Sequence, residues 1–136
     1  MQTADAPAMP PEAQPTIRVI AMPSDTNPAG EIFGGWIVSH MDLAAGSLAA
    51  RTSGGRCVTV AIDGLTFLSA VTVGDELSIY TSLLRLGRTS MQIRTEAWCR
   101  QRHASAQRKV TEGTFVFVAI GDDKRPRVIS SEPEAG

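Results

Sequence analysis

The chain has 136 residues, enough for one domain and its core. Its 43% hydrophobic and 20% charged content is that of an ordinary globular protein. Thirteen Lys and Arg against fourteen Asp and Glu leave a net charge of -1. That balance excludes a general nucleic-acid binder with a basic face and a polybasic membrane anchor. Cys57 and Cys99 are too few for a disulfide framework or a four-ligand zinc site, and only His40 and His103 could add to them, so no metal is expected.

Four of the eight prolines fall in the first fifteen residues. Residues 1–15 are therefore predicted as a flexible Pro/Ala-rich tail, with neither the basic nor the apolar region of a secretory leader, and a cytoplasmic location is expected. Residues 16–130 are predicted as one folded domain, and 131–136 as a second flexible tail. From Pro28 to Pro126 proline is absent, which suits sheet and helix.

IRVIAM (17–22) reads as a short strand and PSDTNPAG as a loop. Phe33, Ile37, Met41, Ala44 and Leu48 then recur at helical spacing, and Gly54-Gly55 ends the run. Alternation marks strands in CVTVAID (57–63), at Leu77–Leu83 and at Met91–Arg100, and a long apolar run marks the last, at 107–120. One strand, one helix and consecutive strands make an α+β meander.

The helix is unusually bare. Between Glu31 and Arg51 its one formally charged side chain is Asp42. This charge argues against a membrane span, because a carboxylate near the bilayer centre costs about 3 kcal/mol. A helix apolar on all sides is expected to be enclosed by a curved sheet, with Gly34, Gly35, Ala44, Ala45 and Gly46 allowing close approach. Asp42 has no Lys or Arg at three or four positions' distance, so it is expected to be buried without a partner, an environment enriched in functional carboxylates. An interface or backbone-bonding role fits the spacing equally well. Gly34 and Gly35 lie in the first turn, where unpartnered amides suit an anion or a developing oxyanion, or else simply permit close packing.

MPSDTNPAGEIFGGWIVSHMDLAAGSLAAR resembles the signature of the hotdog-fold acyl-CoA thioesterases of the YciA type, which are similar to single domains of the cytosolic acyl-CoA hydrolases. The likeness continues through RCVTVAIDGLTFLSAVTVGDEL, GRTSMQIRTEAW and KVTEGTFVFVAI, covering about residues 17–127. The resemblance implies a hotdog fold, a curved antiparallel β-sheet wrapped around one long buried helix. It implies hydrolysis of acyl-CoA to a free acid and CoA, with CoA as part of the substrate and no further cofactor. Asp42 would act on the attacking water, and Asn27 would face it across a homodimer interface. Gly34 and Gly35 would polarise the thioester carbonyl. The GRTS turn, Arg88, Thr89 and Ser90 among it, would lie near the pantetheine or phosphates of CoA. Phe67 is a candidate substrate liner, with Val38 and Leu68. Members of this family also assemble as trimers of dimers.

A thioester carbonyl is electrophilic enough for a positioned water and one general base, and direct attack by Asp42 through a mixed anhydride is the chemical alternative. A hydratase of the same fold would need a histidine beside the carboxylate, whereas His40 and Asp42 diverge on a helix. A non-catalytic acyl-CoA-binding dimer would have no need of Asp42.

Overall fold

A computed structural model describes residues 9–129. Strand β1 (Ile17–Ile20) leads through a single 3-10 turn (Pro23–Asp25) to helix α1 (Gly34–Ser53). Four long strands follow: β2 (Cys57–Phe67), β3 (Glu76–Leu86), β4 (Ser90–Arg100) and β5 (Gln107–Ala119). They form one antiparallel sheet in the order β1-β3-β4-β5-β2. This is the expected α+β hotdog arrangement, with β1 and β2 at the two edges. Among the described residues no helix is long and apolar enough to cross a membrane.

Helix and sheet meet where the sequence is smallest. Ala44, Ala45 and Ala49 are fully buried with Met41 and Ile37, against Ile79, Met91, Ile93, Ala97, Phe115 and Phe117 of the sheet. Alanine lets the backbones approach, while the phenylalanines and aliphatic residues fill the space between. The helix ends at Gly54, whose φ of 71° is the left-handed cap that glycine adopts without steric cost.

Two expectations require correction. The helix, expected to be buried on most sides, packs on the curved sheet along one side and is open along another: Gly35, Ser39, Leu43, Ser47 and Ala50 form an exposed stripe, with Leu43 62% exposed. A single five-stranded sheet covers one side of a helix, so an uncharged stripe need not be a buried one. Second, β2 runs past the expected Asp63 to Phe67, across two breaks of register with β5. Val60 is an extra residue at the first, and Gly64, with φ of 64°, lies within the second. Simple alternation therefore fails: Cys57, Thr59 and Ile62 face α1, while Val58 and Val60 lie exposed.

Several basic residues of the strands are paired. Arg94 and Lys109 both bind Glu112, Arg100 binds Glu76, and Arg108 binds the buried Asp75. Cys99 lies beside Asp75, and burial, aided by that carboxylate, pushes its thiol up to about 12, so it is a core residue and not a nucleophile. Pro11, Ala13 and Gln14 of the predicted tail line a small cleft with Tyr80, Thr81, Ser82, Arg94 and Glu96 on the outer face of the sheet. Residues 1–8 and 130–136, which hold the rest of the predicted tails, lie outside the described residues.

Candidate active site

Asp42 projects from the middle of α1 toward edge strand β2. It is half-buried, not buried, and it has a partner: the Thr59 hydroxyl donates to its Oδ1 at 2.6 Å. The expected solitary carboxylate is thus anchored by a strand residue 17 positions away, beyond the reach of helical spacing rules. His40 lies on another flank, edge-on to Trp36 with ring centroids 4.8 Å apart, so it does not pair with Asp42.

Asn27 builds the loop that feeds the helix. Its Oδ1 accepts from the amides of Ala29 (2.9 Å) and Glu31 (3.0 Å), and its own amide donates to the Glu31 carbonyl at 2.6 Å. Gly30 closes this turn at φ 83°. With Oδ1 spent on the loop, the side-chain NH2 is the group left to reach outward.

The start of α1 has no side-chain cap. Trp36 donates its amide to the Phe33 carbonyl, but the Gly34 and Gly35 amides find no acceptor among the described residues. The Phe67 ring rests on this end: a Cβ on Gly34 would lie 2.9 Å from its Cε1 and Cζ. A side chain at Gly34 would push this ring aside, and the free Gly34 amide sits beside a ring that is 51% exposed.

The turn holding Arg88, Thr89 and Ser90 joins β3 to β4. The Gly87 amide bonds the Ser90 carbonyl, and the Ala119 and Ile129 amides bond the Thr89 and Arg88 carbonyls. In register, Ser90, Val118 and Val58 lie in one row and Met91, Phe117 and Thr59 in the next. The turn is therefore two strand spacings, about 10 Å, from the strand that carries Thr59. Arg51, Arg56, Arg88, Lys124 and Arg125 are all exposed near this end, and none is in an ion pair among the described residues. Asp122 and Asp123 partly offset them.

The expected residues fall into two groups. Asn27, Gly34, Gly35 and Phe67 gather at the helix start; Asp42 lies with Thr59, and the 87–90 turn is nearest to that pair. Asp42 is eight residues beyond Gly34, about 12 Å along the axis, and first-turn amides point the other way. One helix cannot bring both to a single carbonyl. Alternation in β2 gives no reason to single out Thr59, because the apolar Val58 and Val60 read as the inward set although they are the exposed one.

The thioesterase superfamily profile matches residues 29–106. An uncharacterized acyl-CoA thioester hydrolase of Zymomonas mobilis is 53% identical over 116 residues, which span 85% of this chain and 78% of that one. The acyl-CoA thioester hydrolase YciA of Escherichia coli is 40% identical over 125 residues, spanning 90% of this chain and 95% of its own. Among solved structures, a hexameric broad-specificity acyl-coenzyme A thioesterase superposes with a TM-score of 0.85 at 38% identity, over 90% of this chain and 85% of that one. A hexameric thioesterase from Yersinia pestis also gives 0.85 at 38% identity, over 90% and 99%.

Proposed function

The chain belongs to the thioesterase superfamily and is a thioester hydrolase, and we propose that it hydrolyses acyl-CoA to a carboxylic acid and CoA in sites shared between two protomers. The observation that carries this reading is the division of the polar groups into two half-sites, each incomplete alone. The Gly34 and Gly35 amides and the Asn27 NH2 of one protomer supply donors to a carbonyl oxygen. Asp42 of the second protomer supplies the base.

In the reaction, a water held by Asp42 attacks the thioester carbonyl carbon and gives its proton to the carboxylate. The resulting oxyanion is stabilised by the free amides at the helix start, where the dipole adds favourable potential; loss of one such donor typically costs about 10²–10³ in rate. The C–S bond then breaks, and the CoA thiolate recovers the proton from Asp42. The reaction draws on no metal or further cofactor. Arg88, Thr89 and Ser90, with the unpaired basic residues around that turn, fit the pantetheine and phosphates of CoA. Phe67, exposed beside the helix start, fits the acyl chain or thioester. A homodimer, alone or as a trimer of dimers, is the assembly that completes the sites; the hexameric relatives and the unpaired edge of β2 support it. We place the protein in the cytoplasm, where acyl-CoA is made and used.

The test is thiol release from acyl-CoAs of two to sixteen carbons by the wild type and Asp42→Asn. Release by the wild type, with Asp42→Asn folded but at least about 100-fold slower, is the expected outcome. Retention of more than a tenth of the rate in Asp42→Asn removes Asp42 as the base. No release by the wild type, with acyl-CoA still bound, replaces the enzyme with a binding module.

A further inference from the structure

Thr59 is assigned no role by the sequence and takes no part in the reaction as written, yet it makes the only hydrogen bond to the Asp42 carboxylate among the described residues. At 2.6 Å, Oγ1 to Oδ1, it has the length of a hydroxyl donating to an ionised carboxylate. Its placement is built into the sheet. β2 pairs Thr59 with Phe117, passes over Val60 and resumes with Ala61 opposite Val116, a bulge of the kind that re-aims a side chain at a functional site. Threonine is β-branched and stiff at χ1, so the strand backbone fixes the direction of the hydroxyl. The terminal torsion of aspartate, by contrast, is broad and leaves a free carboxylate to rotate.

We propose that Thr59 is a positioning residue for Asp42: held by strand β2, its hydroxyl pins Oδ1 and leaves Oδ2 as the oxygen presented to the attacking water. The inference rests on Asp42 being the general base. Thr59 touches the carboxylate and not the substrate, so its loss lowers turnover and leaves binding intact. A merely structural contact would instead lower stability and leave the per-site rate unchanged.

The experiment compares wild type, Thr59→Val, Thr59→Ala, Thr59→Ser and Asp42→Asn on the acyl-CoA that wild type turns over fastest, each checked for folding by thermal unfolding. A hydrogen bond to a charged group corresponds to about a 10- to 100-fold effect. Thr59→Val should therefore lose about that factor in kcat with KM within about threefold, and Thr59→Ser should stay within about fivefold of wild type. If Thr59→Val does not fold, Thr59→Ala against Thr59→Ser carries the comparison, since both lack the methyl and differ in the hydroxyl. The proposal is overturned if the variants without the hydroxyl match Thr59→Ser in kcat, or if their loss lies in KM. An active Asp42→Asn would overturn the base assignment itself, a result separate from an inactive Asp42→Asn beside an undiminished Thr59→Val.

Discussion

Arg127 joins three elements through one side chain. Its guanidinium donates to the carbonyls of Ser53 (3.0 Å), Ile120 (3.0 Å) and Arg56 (3.2 Å) and to the Ser53 hydroxyl (3.2 Å). It thus ties the end of α1 to the approach to β2 and the exit of β5, and places a cation on the helix's free carbonyls. Arg127→Met keeps the apolar stem and removes the fork. A hydrogen bond to a charged group contributes about 1.5–3 kcal/mol, and a cation at a helix C-terminus up to about 1 kcal/mol. Ser53 is buried, but Arg127 is only half-buried, so water recovers part of the loss and a net cost of about 2–3 kcal/mol remains. For a chain of this length that lowers Tm by roughly 6–15 °C. Thermal unfolding by circular dichroism, at one fixed protomer concentration, reads it directly. A second arm uses Gly55, where a Cβ would lie 2.7 Å from Arg127 Nη2. Gly55→Ala should destabilise the wild type by displacing the guanidinium, and cost less in the Arg127→Met background. A Tm for Arg127→Met within about 2 °C of wild type, or full additivity of the pair, refutes the clasp.

The Lys109 hydrogen bond, with the charges of Lys109 and Arg94, holds the Glu112 carboxyl below its usual range against an opposing effect of burial. A depressed folded value means the stabilisation is present above the unfolded value and lost as pH falls through the folded one, so acid unfolding below about pH 4.5 should be shallower in Glu112→Gln than in wild type; identical acid profiles would remove this network from the account. Mixing Asn27→Ala with Asp42→Asn protomers, each inactive alone, should restore activity at one of the two sites of a mixed dimer; subunit exchange without any recovered turnover would show that the two residues act from the same chain.

The helix, the strand order along the chain and the class of fold were legible because they rest on local periods. Phe33, Ile37, Met41, Ala44 and Leu48 marked one face of a helix: Ile37, Met41 and Ala44 are buried in α1 and Leu48 packs on the core, while Phe33 is the exposed N-cap residue just before it. What failed was non-local. The reach of β2 to Phe67 was hidden by Gly64, which reads as a break but serves as a bend inside one continuous strand. The face of Thr59 was hidden because Val58, Val60 and Ile62 read as one apolar face; the bulge at Val60 splits that set, leaving Val58 and Val60 exposed and Ile62 on the helix side with Thr59. Arg127 was hidden because its carbonyl partner on Ser53 lies 74 positions away. Asn27, the Gly34-Gly35 pair and the 87–90 turn came from resemblance to a family; their residue types alone carried no more than a weak signal.

The bare helix now has a physical reading different from simple enclosure. Its open stripe, with Leu43 62% exposed, flanks the same edge of the sheet where Val58 and Val60 are 41% and 55% exposed and where, among the described residues, β2 has no strand on its outer side. Asp42 and Thr59 lie between those two surfaces. A second protomer seated there would bury apolar area that a lone chain leaves in water, at about 25 cal/mol per Å². It would also pair the free strand edge and remove solvent from the hydrogen bond that orients the carboxylate, strengthening it. Assembly and assignment of the base would then be one event: the contacts that hold two copies together are those that turn two partial sets of polar groups into a working site. Charges on the open stripe would oppose both, which gives a reason for a twenty-residue helix to carry its one acidic group only where it faces Thr59.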